Sequence, residues 1–205
     1  MNRAVVYQAA SVVLGYPTED VLAFRGVVRR ALTESAPAAV GLFAPLLDWW
    51  DATPAETVQQ GYVDLFDMSK RHALYLSYWT DGDTRRRGQV LADLKRRYRE
   101  QGLELTTTGE LPDHLPLVLE FARYAPDAGA ALLQEYRASV ELIRIALAER
   151  SSPYADVVAA VCATLPGRSP QDRQQAMAMA AAGPPAESVG LDAYDPRLLP
   201  LAGGR

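Results

Sequence analysis

The chain has 205 residues, 49% of them hydrophobic and 22% charged, with a formal net charge of −4 and a pI of about 5.3, which allows one domain with a sizeable core and argues against a nucleic-acid surface. A single cysteine, Cys162, excludes an internal disulfide, and with only His72 and His114 beside it no Cys/His zinc set can be assembled. No run of about eighteen apolar residues occurs, and Met1-Asn-Arg-Ala-Val-Val lacks the apolar core and cleavage site of a secretory signal, so a cytoplasmic protein without a membrane span is expected.

In chain order, apolar residues recur at helical spacing almost everywhere. A first helix ends at Gly15-Tyr16-Pro17. Pro17 then opens a second, with Thr18 to Asp20 supplying negative charge to its first turn. Ser35 to Pro37 breaks that helix. Thr53-Pro54-Ala55-Glu56 marks another start, with Thr53 as cap, and leads into the apolar face Val58, Tyr62, Leu65 and Phe66. Leu74, Tyr75, Tyr78 and Trp79 continue at helical spacing. Three large aromatics in five residues exceed what one helix face buries, so some of them are expected at an interface. After a turn at Asp81-Gly82-Asp83, a helix carries Leu91, Leu94 and Tyr98 and ends at Gln101-Gly102. Leu103 to Thr108 reads as an extended loop. Pro112 opens the next helix, with Pro116 in its first turn and Leu115, Val118, Leu119 and Ala122 on its buried face. Leu132, Tyr136, Val140, Ile143 and Leu147 make one longer stripe. Beyond the cap Ser151-Ser152-Pro153 runs the cleanest one: Tyr154, Val157, Val158, Val161, Cys162 and Leu165.

The predicted fold is therefore all-α, a compact single-domain bundle of about eight to ten helices over residues 1–165. Residues 166–205 are rich in proline, glycine and alanine. They are expected to form a partly disordered or loosely docked tail, with one short helix from Gln171 to Ala182.

Equipment for catalysis is sparse. There is no glycine-rich phosphate loop and no Gly-x-Ser-x-Gly elbow. Cys162 shares its stripe with Val158 and Val161, a setting for a buried, inert thiol. The chemistry-bearing residues concentrate between Tyr62 and Phe121. Asp67 either caps the element that follows it or faces a groove. Asp83 reads as an N-cap ahead of Arg85, Arg86 and Arg87. Three cations in a first turn oppose the helix dipole, which predicts partner carboxylates or a clamp on a neighbouring element. Asp113 and His114 fall in an early helical turn, where His114 is expected to titrate near neutrality and Asp113 to favour its charged form. Dense polar and aromatic signals without a catalytic set point to recognition.

These segments together resemble the NarJ family, the delta-subunit chaperones that assemble respiratory nitrate reductase, within the wider group of TorD- and DmsD-like maturation chaperones. The resemblance rests on Tyr62-Val-Asp-Leu-Phe-Asp67, Ser77, Gly82-Asp83-x-Arg85-x-Arg87-Gly88-Gln89, Asp93-Leu94, Tyr98 and Leu111-Pro112-Asp113-His114-Leu115-Pro116 through Glu120-Phe121, with Leu14-Gly15-Tyr16-Pro17 ahead of them. It spans about residues 4 to 165, and the segment before the Gly-Asp turn, which in the family often carries a histidine, reads Tyr78-Trp79-Thr80-Asp81 here. What it implies is a non-catalytic cytoplasmic chaperone of the TorD/NarJ-like fold. Its partner is the N-terminal segment of the nitrate reductase alpha subunit, held off the membrane until the molybdenum cofactor, bis-molybdopterin guanine dinucleotide, has been inserted. The chaperone binds no cofactor stably; cofactor-delivery proteins are further partners.

An amphipathic client helix docks with its apolar face in a groove. The residues assigned to that groove are Tyr62, Phe66, Asp67, Tyr75, Trp79, Asp113, His114, Leu117, Glu120 and Phe121, with Asp83, Arg85, Arg87 and Gln89 as structural braces. Two other readings stay open on the residues alone. One is a chaperone for another molybdoenzyme, whose leader would carry a twin-arginine motif. The other is a small helical enzyme with Asp113 and His114 as acid and base, which requires a closed polar pocket around the pair.

Overall fold

The computed structural model describes residues 1–81, 85–105 and 109–182. Twelve α-helices run through them: α1 (Arg3–Leu14), α2 (Glu19–Ala23), α3 (Arg25–Ser35), α4 (Val40–Ala52), α5 (Ala55–Tyr62), α6 (Leu76–Asp81), α7 (Arg85–Glu100), α8 (Leu115–Tyr124), α9 (Pro126–Glu135), α10 (Arg137–Glu149), α11 (Tyr154–Cys162) and α12 (Arg173–Ala182). Short 3-10 turns at Pro37–Ala39 and Lys70–His72, and a π turn at Val63–Asp67, fill the connections. Among the described residues there is no strand, only one isolated antiparallel bridge between Tyr75 and His114. The all-α expectation holds, and no described helix is long and apolar enough to cross a membrane.

The core forms around α1, which packs chiefly on α8 and also on α11 and α3; α10 in turn packs on α11, α12 and α6. Val6, Ala10, Val13 and Leu14 give α1 a face with no exposure, and Leu115, Val118 and Leu119 do the same for α8. Every residue of the stripe Tyr154 to Leu165 is buried, Cys162 included, and burial raises the Cys162 thiol far above its ordinary range. α8 and α9 approach each other closely at Gly129. A Cβ on Gly129 would lie 2.1 Å from Ala122 Cα, so only glycine allows these backbones to meet.

Several helix boundaries differ from the periodicity reading. The second helix starts two residues later, at Glu19, because Thr18 itself is the cap and its Oγ1 accepts from Val21 N at 3.2 Å. It also divides at Phe24, which with ψ −9° ends α2 and precedes α3. At α5, Pro54 rather than Thr53 occupies the cap position and no side chain caps it. The stripe Leu132 to Leu147 is buried as expected but belongs to two helices, which meet at Tyr136 with φ −93° and ψ 16°. These divisions raise the helix number above the expected eight to ten, since neither Phe24 nor Tyr136 is a residue that punctuates a sequence.

Two differences matter for the site. Leu74 and Tyr75 are extended, so the helix there begins only at Leu76, and α8 begins three residues after Pro112. Both have one cause. Leu76 N donates to Asp113 O at 2.9 Å and Leu115 N to Leu74 O at 2.8 Å, so each segment satisfies the other's backbone in place of a helical turn.

Beyond Leu165 the described chain stays against the bundle. Ala176 of α12 is fully buried over Leu142 and Ile145 of α10. Arg144 Nη2 donates to Pro170 O at 2.7 Å and Arg137 Nη2 to Gly167 O at 3.0 Å. Glu141, with no exposure, sits between these two guanidiniums, 2.7 Å from Arg144 Nε and 3.7 Å from Arg137 Nη2. The turn at Gly82 to Thr84, with Asp83, lies outside the described residues, as do Thr106 to Thr108 and everything after Ala182.

Candidate functional site

The Tyr75–His114 bridge organises the polar residues of the Tyr62–Phe121 stretch. It brings Asp113 next to Ser77, and Asp113 Oδ2 accepts from Ser77 Oγ at 2.5 Å and from Ser77 N at 3.2 Å. Arg87 comes down from α7 onto the same cluster, its Nε 3.1 Å from Ser77 Oγ and its Nη2 3.4 Å from Asp113 Oδ2. The Arg87 guanidinium also lies 5.7 Å from the Tyr75 ring centre and 6.0 Å from that of Tyr78. Asp113 has no exposure, and its Oδ1 has no hydrogen-bond partner among the described residues. One arginine therefore ties α6, α7 and the start of α8 together through a buried carboxylate. Below this cluster Tyr98 Oη donates to Pro112 O at 2.6 Å, and the Tyr98 ring packs on Phe121 at 4.6 Å.

In front of the cluster a groove of about 790 Å³ runs between α1 and α8. Val12, Val21, Leu103, Leu105 and Leu117 give it an apolar lining, and Glu104, Glu110 and Glu120 give it carboxylates. Ser11 Oγ donates to Glu120 Oε1 at 3.1 Å and so links α1 to α8 across the floor. His114 closes one end. Its ring packs on Tyr75 at 5.2 Å, and Glu110 Oε2 receives the Tyr75 hydroxyl at 3.0 Å while lying 3.6 Å from His114 Nδ1. Burial and the Glu110 carboxylate raise the Tyr75 phenol to about 12. For His114 the expected shift is reversed. Burial pushes its pKa below the ordinary histidine value, and Glu110, Asp113 and Asp67 only partly offset that. His114 is thus neutral at physiological pH rather than poised at neutrality.

The sequence-predicted groove residues divide into four sets. His114, Leu117, Glu120 and Phe121 line the groove together. Tyr75, Asp113 and the exposed Asp67 adjoin it at the His114 end, with Asp113 behind the wall. Tyr62 and Phe66 are core-facing, 5% and 8% exposed, stacked at 4.7 Å and packed on Tyr154, with Tyr62 Oη donating to Leu14 O at 3.0 Å. Trp79 lies in a different groove, with its Nε1 donating to Ala73 O at 2.9 Å. Among the braces, Arg87 makes the contacts given above and Gln89 is exposed. Asp83 and the side chain of Arg85 lie outside the described residues. Ser11, Val12, Val21, Leu103, Glu104 and Leu105 line the groove and were not singled out in the sequence; the one local signal was a serine, Ser11, buried in the apolar face of α1. Among the described residues no closed polar pocket surrounds Asp113 and His114, since the Asp113 carboxylate turns to Ser77 and Arg87 while His114 faces the groove. Among the described residues no group of three or more His, Cys, Asp or Glu is arranged to hold a metal.

A family model described as the nitrate reductase delta subunit matches residues 30–160. The chain belongs to that family. As a delta-subunit family member it is 30% identical over 168 residues to the probable nitrate reductase molybdenum cofactor assembly chaperone NarJ of Bacillus subtilis, covering 80% of this chain and 90% of that one. It is 36% identical over 118 residues to the nitrate reductase molybdenum cofactor assembly chaperone NarJ of Escherichia coli K12, covering 57% of this chain and 48% of that one. It is also 43% identical over 162 residues to the nitrate reductase-like protein NarX of Mycobacterium tuberculosis, where the match takes in 78% of this chain but only 24% of the relative's length. A crystal structure of a redox enzyme maturation protein from Archaeoglobus fulgidus superposes with a TM-score of 0.60 over 80% of this chain and 93% of that one, at 24% identity, a likeness of fold. For this delta-subunit family chain the groove and the Arg87–Asp113 cluster both draw on the matched region, with α1 outside it supplying one wall.

Proposed function

We propose that the chain is a non-catalytic, cytoplasmic assembly chaperone that holds the N-terminal segment of a nitrate reductase alpha subunit in the α1–α8 groove while the molybdenum cofactor, as bis-molybdopterin guanine dinucleotide, is inserted. Family membership supports the client, and the groove supports the mode of binding. The observation that carries the reading is the pairing of an apolar lining, Val12, Leu105 and Leu117 among it, with three carboxylates at Glu104, Glu110 and Glu120. An amphipathic helix with basic residues flanking its apolar face fits such a surface. Leu117 and Phe121 act as the apolar contacts, and Asp67, Tyr75, His114 and Glu120 set register. Asp113 and Arg87 act from behind by fixing the start of α8.

The test is calorimetric titration of a peptide from the alpha-subunit N-terminus. Leu117→Glu should weaken binding by roughly tenfold or more, since it places a charge in the desolvated contact. Glu120→Lys should weaken it less, and more at low salt than at high salt. Absence of binding at about tens of micromolar, together with failure of the full alpha subunit to co-purify, would sink the reading.

A further inference from the structure

A second groove, of about 700 Å³, lies between the Lys70–His72 turn and α6 on one side and the C-terminal end of α10 with the start of α12 on the other. That is within the size range of small-molecule clefts. Lys70, Arg71, Arg150 and Arg173 line it with a single carboxylate, Glu149. In a chain of net charge −4 this is a local reversal of sign. Arg173 is already engaged, with Nη2 3.3 Å from Glu149 Oε2 and the guanidinium 5.8 Å from the Trp79 ring centre. Lys70, Arg71 and Arg150 are exposed, and no ion pair joins any of them to a carboxylate among the described residues.

The wall adds a second observation. His72 is 7% exposed and its Nδ1 has no hydrogen-bond partner among the described residues. Burial first, then the charges of Arg150 and Arg71, hold its pKa below the ordinary value, while the Leu65 backbone and Glu149 act the other way. The unpaired cations thus act on a buried imidazole that bonds the Leu65 backbone but whose Nδ1 has no partner among the described residues. Beside it Trp79 is fixed by its bond to Ala73 O and by Tyr78 packed edge-on at 6.3 Å, which makes a rigid aromatic surface next to the charges.

We propose that this groove binds a pyrophosphate-bearing small molecule, a nucleoside diphosphate being the form that uses all of it. The phosphates lie among Lys70, Arg71 and Arg150, where guanidiniums can bind them bidentately. The base lies against Trp79. The site is separate from the α1–α8 groove, and it stands or falls independently of the client reading.

The experiment titrates inorganic pyrophosphate, ADP, GDP, inorganic phosphate and a polyglutamate peptide into the full chain at constant ionic strength, read by calorimetry. Saturable one-to-one binding is expected for pyrophosphate and the nucleoside diphosphates, with phosphate weaker. The double variant Arg71→Ala/Arg150→Ala should bind at least about tenfold more weakly, because two charge-assisted contacts are lost. Both side chains are exposed, so the variant should keep the wild-type melting temperature. A nucleoside diphosphate that binds more tightly than pyrophosphate in the wild type, but no more tightly in Trp79→Leu, assigns the base to Trp79. Equal affinities in the wild type assign the site to pyrophosphate alone. Three results overturn the proposal: no saturation up to about 5 mM at low salt, unchanged affinity in a folded double variant, or tighter binding of polyglutamate than of any phosphate compound.

Discussion

At the residue scale, Asp113 decides whether the start of α8 is held. Its carboxylate is wholly buried and accepts from Ser77 and Arg87. Asp113→Ala should destabilise the protein by about 3 kcal/mol, because it strands the Arg87 guanidinium and the Ser77 hydroxyl at once. Asp113→Asn should cost less, since it keeps an acceptor for Ser77. Urea unfolding of both variants measures this, and equal losses would mean that the acceptor kept by asparagine contributes nothing and that the charge of Asp113 carries the whole effect. The two histidines give a pH prediction. Burial lowers the pKa of both His72 and His114 in the folded chain. Their stabilising neutral forms are fully present above the unfolded value of about 6.5. As pH falls below that, the unfolded chain takes up protons that the fold resists, so stability drops by at most about 1.4 kcal/mol per pH unit for each histidine. Urea melts at pH 7.5, 6.5 and 5.5 should be flat across the first interval and fall across the second, with a smaller fall in His114→Gln. The sequence made Asp113, Arg87 and Ser77 visible only as parts of separate motifs. Their meeting depends on the Tyr75–His114 bridge, and a one-residue bridge has no periodicity from which to read it.

At the element scale, two helix ends share one geometry with different residues. After α7, Gly102 takes φ 76°, Gly102 N bonds Arg99 O and Leu103 N bonds Tyr98 O. After α10, Ser151 takes φ 51°, Ser151 N bonds Ala148 O and Ser152 N bonds Leu147 O. Both are Schellman ends, and only the first has the glycine that the left-handed position favours. Ser151→Gly should therefore stabilise the protein by about 0.5–1 kcal/mol, read as a raised melting temperature. At Gly129 the sign reverses. A methyl group there meets α8 backbone at 2.1 Å, which cannot swing aside as a side chain can. Gly129→Ala should cost roughly 2–3 kcal/mol or more by forcing α8 and α9 apart, although alanine is the better helix former. A melting temperature equal to wild type would show that the two helices can separate freely. Apolar spacing made the buried faces of α8 and α11 legible. It carried nothing about the α8–α9 distance, because a glycine inside a helix pattern reads as a weakness until the neighbouring backbone is in view.

At the scale of the whole molecule, the stretch after Leu165 bears on the bundle's surface. The sequence there is rich in proline, glycine and alanine with no apolar stripe, and the expectation is a partly disordered or loosely docked tail with one short helix from Gln171 to Ala182, where α12 lies. What fastens residues 166–182 is backbone captured by two arginines, the buried Arg137 on Gly167 O and the partly exposed Arg144 on Pro170 O, with Glu141 between the two guanidiniums. Carbonyl acceptors exist at every residue, and this kind of docking leaves no trace in composition. Leu142 and Ile145, 1% and 6% exposed, form with Ala176 the small apolar cluster between α10 and α12. A chain ending at Leu165 should keep the helical core of α1 to α11 but bare these two side chains and leave both guanidiniums without their carbonyls. Compared with a chain ending at Ala182, it should lose about 2 kcal/mol or more after the entropy of the freed segment is set against the burial. That corresponds to a melting temperature lower by about 4–8 °C, with increased binding of a hydrophobic dye. Far-ultraviolet circular dichroism, melting and dye binding on the two truncations measure this directly. Equal melting temperatures and equal dye binding would mean that residues 166–182 add nothing to the bundle, and that Arg137, Glu141 and Arg144 satisfy one another without them.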